Sequence, residues 1–317
     1  MRLLFLLPPL LASHATLAET VTDAMGRGVE IPDDPSRIVV LHEPLLGVPL
    51  ADFGVDPVGS YGRADDGSSL MAADFYASIL GDDAPDPAPR GIGAVGDIDL
   101  ERLRALSPDL IIGTELDADK ADQLTAIAPV YLQASSSGKV RGFETEKQLA
   151  ALLDRTDAFE DRRAEYQEKL DRLKPIIPPG QSYLAVIVHD KINLVGEMSG
   201  AIQAIEDLGY NRLPLKADGP DNALGSTFAV PISSEAFGRM NPDLLVILSS
   251  YAGASHDEAG TRAQLDRVMP GWERFLKPAR EGRIVWMDST KVATPSIASA
   301  EHALDAIEAW SAQASKN

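Results

Sequence analysis

Asp97–Thr114 reads DIDLERLRALSPDLIIGT, and the fold is decided in these residues. Leu100, Leu103 and Leu106 recur at helical spacing with Glu101, Arg102 and Arg104 between them, which predicts an amphipathic helix. Ser107-Pro108 ends it, because a proline ring pushes the preceding residue out of the α region. Leu110–Ile112, closed by Gly113, is a short apolar run rich in β-branched residues. Such a run, lacking polar alternation, is the pattern of a strand buried on both faces of a parallel sheet. The unit is helix, tight turn, buried strand.

The same unit returns at Ser233–Ser249, SSEAFGRMNPDLLVILS. Glu101 and Glu235 each stand seven residues before a proline, Pro108 and Pro242, and each proline is followed by Asp-Leu and an apolar run. A helix–Pro–Asp–strand joint can arise on its own, but the paired glutamates and the lobe-sized separation favour an internal duplication and hence two lobes of similar construction.

Length agrees, since 317 residues exceed one typical domain and suit two. The chain is 44% hydrophobic with strong local periodicity, enough to bury real cores. It carries 29 basic and 48 acidic residues, a formal charge of −19, which argues against nucleic acid or an anionic membrane as partner. It has no cysteine, so disulfides, thiolate metal sites and cysteine nucleophiles are excluded. The opening MRLLFLLPPLLASHATLA has one positive residue, an apolar stretch too short and too proline-broken to span a membrane, and a small residue at its end. Residues 1–18 therefore read as a cleavable secretory signal. Its removal leaves 28 basic against 48 acidic residues, a net −20. His14 stands where a lipobox would need cysteine, so the exported protein is expected in the periplasm without a lipid anchor.

The remainder alternates strands and helices, which predicts an α/β protein with mostly parallel sheets flanked by helices. Thr20–Ile31 reads as a hairpin, Ile38–Leu41 and Pro57–Ser60 as strands, Leu70–Leu80 as a helix, and the Pro/Gly-rich Gly81–Gly96 as loop. Ala158–Lys174 places Phe159, Tyr166, Leu170 and Leu173 on one face amid dense charge, a helix ~25 Å long. Lying between the two repeats, it is the natural connection between lobes. Tyr183–Val188 and Lys191–Val195 read as a strand and its hairpin partner, and Ile297–Ala314 as a terminal helix. The expected organisation is a lobe over 19–142, a helical connection over 143–174 and a second lobe over 175–317.

Several of these segments resemble one known family. Thr20–Leu41 (TVTDAMGRGVEIPDDPSRIVVL), the Glu-(x)6-Pro-Asp-Leu motif at Glu101 with its copy at Glu235, Ile127-Ala128-Pro129-Val130, the helix at Ala158–Lys174 and Trp272–Asp288 (WERFLKPAREGRIVWMD) are similar, in the same order, to periplasmic iron–siderophore and cobalamin binding proteins. Leu224-Gly225-Ser226-Thr227 looks closest to the ferric-hydroxamate binders. The resemblance implies two α/β lobes joined by one rigid helix and a ligand cleft between them. It implies a ferric siderophore as ligand and delivery to the permease dimer of an ABC importer in the inner membrane. Glu101 and Glu235 would be the permease-docking residues. It implies a monomer without catalytic activity or intrinsic cofactor, iron(III) arriving only within the chelate. Val95 stands where several siderophore binders carry arginine, and Leu224 where the hydroxamate binder carries tryptophan.

In open α/β sheets ligands sit beyond the carboxyl ends of the strands. That rule selects His42, Tyr61, Arg63, Glu115, His189, Lys191, Tyr251 and Lys291 as ligand-binding candidates. Cations and aromatic faces suit bulky, anionic chelates, so Arg63 with Tyr61 leads this set. A second binding reading groups His42, His189 and His256 as ligands for a metal ion or haem. An enzyme reading finds no G-x-S-x-G elbow, no H-E-x-x-H and no P-loop lysine; Ser137-Gly138-Lys139-Val140 lacks the required neighbours.

Overall fold

The computed structural model describes residues 19–135, 140–178, 180–213, 229–253 and 255–314. Residues 1–18, expected to be a signal, and Leu224–Thr227 lie outside them. An antiparallel hairpin, β1 (Glu19–Thr22) and β2 (Gly28–Ile31), opens the chain. Five parallel strands follow: β3 (Ile38–Val40), β4 (Gly59–Ser60), β5 (Arg90–Gly91), β6 (Leu110–Thr114) and β7 (Val130–Gln133), in the order β5-β4-β3-β6-β7. The second sheet holds β8 (Ser182–Val188), β9 (Ile192–Val195), β10 (Asn211–Arg212), β11 (Ala229–Ile232), β12 (Leu244–Leu248) and β13 (Ile284–Met287), in the order β11-β9-β8-β12-β13 with β10 beside the start of β8. Its strands β8, β12 and β13 run parallel, while β9 runs back against both β8 and β11.

The repeat unit performs the same task in both lobes. Asp99 and Ser233 cap the helices Leu100–Ala105 and Ser234–Arg239 by accepting backbone N–H groups of the first turn. Each Pro-Asp-Leu then enters a wholly buried strand, β6 or β12, next to the first strand of its lobe. The aspartates fix that pairing. The carboxylate of Asp109 accepts the Ser36 N–H at 2.9 Å, just before β3, and that of Asp243 accepts the Ser182 N–H at 2.9 Å, at the start of β8. Both also accept the hydroxyl of the same serine. Duplication is therefore legible in a side-chain contact as well as in spacing.

Alternate residues of each strand face different layers. Val39, Leu41, Ile111 and Leu132 pack on the outer side of the first sheet; Leu184, Val186, Leu245 and Ile247 pack on the outer side of the second. The inner faces, with Ile38, Val40, Leu110 and Ile112 from one sheet and Tyr183, Ala185, Val246 and Leu248 from the other, join a single apolar cluster with Phe159, Tyr166, Leu170 and Leu173. Those four belong to the long helix Thr156–Leu173, so the connection predicted from the sequence is the element on which both sheets share a core. Each large side chain so buried contributes roughly 1.5–3 kcal/mol. Arg162 on this helix binds Asp52 at 2.9 Å and Glu301 of the terminal helix Ile297–Ala314 at 3.0 Å. Asp52 and Glu146 accept the first N–H groups of that terminal helix, from Ala298 and Ile297, each at 2.7 Å, satisfying donors with no partner inside the helix.

Two expectations need correction. The helix drawn over Leu70–Leu80 begins only at Phe75, because Asp74 turns back to cap it. Gly81–Gly96 contains β5, whose pairing with β4 depends on Gly91: a Cβ there would lie 1.8 Å from the Arg63 carbonyl oxygen. The two-residue β10 and the edge strand β11 carry too little pattern to be read locally.

Candidate functional site

Both sheets reverse their strand order beside their first strand, between β3 and β6 in one lobe and between β8 and β12 in the other. The crevices at the carboxyl ends of those pairs are where an α/β sheet accepts a ligand. Every residue selected by that rule follows a strand as expected, but their surroundings differ.

Arg63 is a correction. It is 1% exposed. Its guanidinium donates to Glu43 Oε1 at 2.9 Å, to Asp74 Oδ1 at 2.6 Å and to the Gly67 carbonyl at 2.6 Å, and it stacks 5.1 Å from the Tyr76 ring. Burial pushes the Glu43 carboxyl upward, and the hydrogen bond and charge of Arg63 pull it back. The arginine is thus the internal counter-ion of a carboxylate at the end of β3, with no donor turned to a cleft. Tyr61 is buried as well, in the apolar cluster with Leu41 and Ile92. Neither is the open cationic and aromatic pair the sequence suggested.

His42 caps the turn that follows β3, accepting the Leu45 N–H at Nδ1. Burial, opposed by the charge of Asp117, lowers its pKa from 6.5 to about 4. A histidine depressed in the folded state is protonated first in the unfolded state, so stability falls as pH drops from 6.5 toward 4, by about 3 kcal/mol over that window. His42→Asn keeps an acceptor at the cap and is expected to flatten that part of the curve in urea titrations across pH. An unchanged slope would refute the assignment. Glu115, next to β6, accepts the Ser135 N–H at 2.9 Å.

In the second lobe His189 and Tyr251 come together. With Ile187, Asn193, Ala229 and Ser250 they line a cavity of about 170 Å3 at the carboxyl end of β8. His189 Nδ1 lies 2.7 Å from Ser250 Oγ. Lys191 faces a different hollow of about 540 Å3, with Asp190, Ser233, Ser234 and Arg267. Lys291 is exposed on the turn Ser289–Val292 after β13. The reading that joined His42, His189 and His256 around a metal is overturned: among the described residues no group of three His, Cys, Asp or Glu could hold one. The physical reason is commitment, since His42 caps a helical turn in one lobe and His189 bonds Ser250 in the other.

Glu101 and Glu235 sit in the first turns of their matching helices, with side chains 88% and 80% exposed. Each has one partner on its own helix, Arg104 at 2.9 Å and Arg239 at 3.0 Å.

Two α/β sheets sharing a core on one long helix, with matched glutamates on matched helices, agree with the comparison to known sequences. The periplasmic binding protein family model matches residues 69–290, across both sheets. The chain belongs to that family. The petrobactin-binding protein YclQ of Bacillus subtilis is 22% identical over 83% of this chain and 77% of its own length. The ferric-anguibactin-binding protein FatB of Vibrio anguillarum is 23% identical over 75% of this chain and 74% of its own. The structure of the triscatecholate siderophore binding protein FeuA from Bacillus subtilis, complexed with ferri-bacillibactin, superposes with a TM-score of 0.68 at 16% identity, over 94% of this chain and 99% of that one, a likeness of fold. Among the described residues of this periplasmic binding protein no helix is long and apolar enough to cross a membrane.

Sequence reasoning missed the apolar rim. Leu70, Val95 and Leu116 are exposed in the loops after β4, β5 and β6, adding to Tyr251, already selected from the sequence and exposed after β12. The available signal was positional: large apolar side chains in loops directly beyond parallel strands.

Proposed function

We propose that this protein captures a ferric siderophore between its lobes and hands it to an ABC importer. The reading is carried by the family match over 69–290, which takes in strands of both sheets, β5 to β7 and β8 to β13. It is supported by relatives that bind petrobactin and ferric anguibactin. Iron(III) enters as part of the chelate, not as a resident cofactor. Glu101 and Glu235 are the docking groups for the two permease subunits, because exposed carboxylates on matched helices suit fast, reversible charge pairing. The protein acts as a monomer in the periplasm after removal of residues 1–18.

The test is titration calorimetry of the chain starting at Glu19 against ferric hydroxamates, ferric catecholates, ferric citrate, haem and free iron. Calorimetry is chosen because Trp272, Trp286 and Trp310, all three tryptophans of the chain, line a groove at the edge strand β13 near its amino-terminal end, away from the carboxyl-end crevices. One-to-one binding of at least one ferric siderophore is expected. Binding confined to haem or free metal would sink the reading.

A further inference from the structure

The charge at the mouth of the cleft selects among ferric siderophores. In the first lobe the loops beyond β4, β5 and β6 cover 61–74, 93–99 and 115–120. They hold two bases, Arg63 and Lys120, against eight carboxylates. Both bases are engaged: Arg63 is buried between Glu43 and Asp74, and Lys120 binds Asp117 at 3.2 Å. Arg90, at the start of β5, binds Asp65 at 2.6 Å. Meanwhile Asp66, Asp97 and Asp119 are exposed, and none has an ion pair among the described residues. Between these acids lie Leu70, Val95 and Leu116. The second-lobe loops beyond β8, β12 and β13 are closer to balanced, with Lys191 and Lys291 against Asp190, Asp257 and Asp288.

We propose that the cleft takes a neutral or cationic ferric chelate with an apolar backbone, such as a trihydroxamate, and rejects anionic catecholate or citrate chelates. This rests on the siderophore reading above. Iron(III) bound by three hydroxamates is neutral, and a free ammonium makes the complex cationic; three catecholates leave it strongly negative. Carboxylates facing such an anion repel it, and among the described residues of those three loops no unpaired cation offsets them. Methylene linkers of a trihydroxamate match Leu70, Val95 and Leu116, and its oxygens can accept from the exposed Lys291 on the other rim.

The experiment is calorimetry with four probes: a linear ferric trihydroxamate bearing one free ammonium, a neutral cyclic ferric trihydroxamate, a ferric tricatecholate and ferric citrate. The trihydroxamates are expected to bind at least about 100-fold more tightly than the anionic chelates. Affinity for the ammonium-bearing chelate is expected to fall as salt rises. The double variant Asp97→Asn/Asp119→Asn, both exposed, is expected to narrow the preference about 3- to 10-fold. Tighter binding of tricatecholate or citrate overturns the charge assignment and leaves the siderophore reading standing. An unchanged preference in the double variant overturns the role of the rim. Absence of binding by all four chelates, with haem or free iron bound instead, removes both.

Discussion

Arg63→Ala lowers the stability of the protein by about 3–5 kcal/mol, the range for removing one partner of a buried ion pair. The guanidinium is buried with Glu43, which is wholly enclosed, and it also holds Asp74 and the Gly67 carbonyl. Truncation leaves the Glu43 carboxylate with the Ser60 hydroxyl as its remaining hydrogen-bond donor. Burial already raises the Glu43 pKa against the pull of Arg63, and without that pull it rises further. A carboxyl raised in the folded state gains stability as pH falls, so the cost of the variant should shrink from pH 8 to pH 5. Adding Glu43→Gln should recover part of the loss at the higher pH. Denaturant midpoints at constant slope measure all three. A loss under about 1 kcal/mol for the single variant would mean that the network is not the counter-ion site described here.

Glu101→Arg combined with Glu235→Arg abolishes uptake while leaving ligand affinity within about 2-fold, because it juxtaposes like charges, at a cost of several kcal/mol each, across the importer interface alone. Both side chains are almost fully exposed and, among the described residues, pair only within their own helices. Exposed pairs of this kind contribute at most about 1 kcal/mol, so the fold tolerates their loss. The reversed side chains meet Arg104 and Arg239, adding a like-charge contact of about 0.2–0.5 kcal/mol on each helix. Uptake of a labelled ferric chelate by cells, with calorimetry on the purified variant, separates the two effects. Transport that survives the double reversal would remove these glutamates from the docking interface.

Strongly periodic and repeated segments were legible without coordinates. The terminal helix Ile297–Ala314 was read to the residue, and the connecting helix Ala158–Lys174 within two residues at its start and one at its end. The paired Glu-(x)6-Pro-Asp-Leu motifs disclosed two lobes, because helix, turn and buried strand are each encoded by neighbours in the chain. Short strands were not. Arg90–Gly91 pairs with Gly59–Ser60, and two residues carry no period of their own.

The candidate site divides along the same line. Sequence alone placed His42, Glu115, His189, Tyr251 and Lys291 beyond strand ends, since that follows from strand order and the switch-point rule. It could not show which side chains turn outward. Arg63 has the chemistry of an anion receptor, but Glu43 and Asp74, distant in sequence, enclose it. Whether a charge faces a ligand or a counter-ion depends on which residues the fold packs against it. The sequence determined what each residue is and which element carries it; the tertiary structure decided which charges are already neutralised, because ion pairs and burial are set by contacts between segments far apart in the chain.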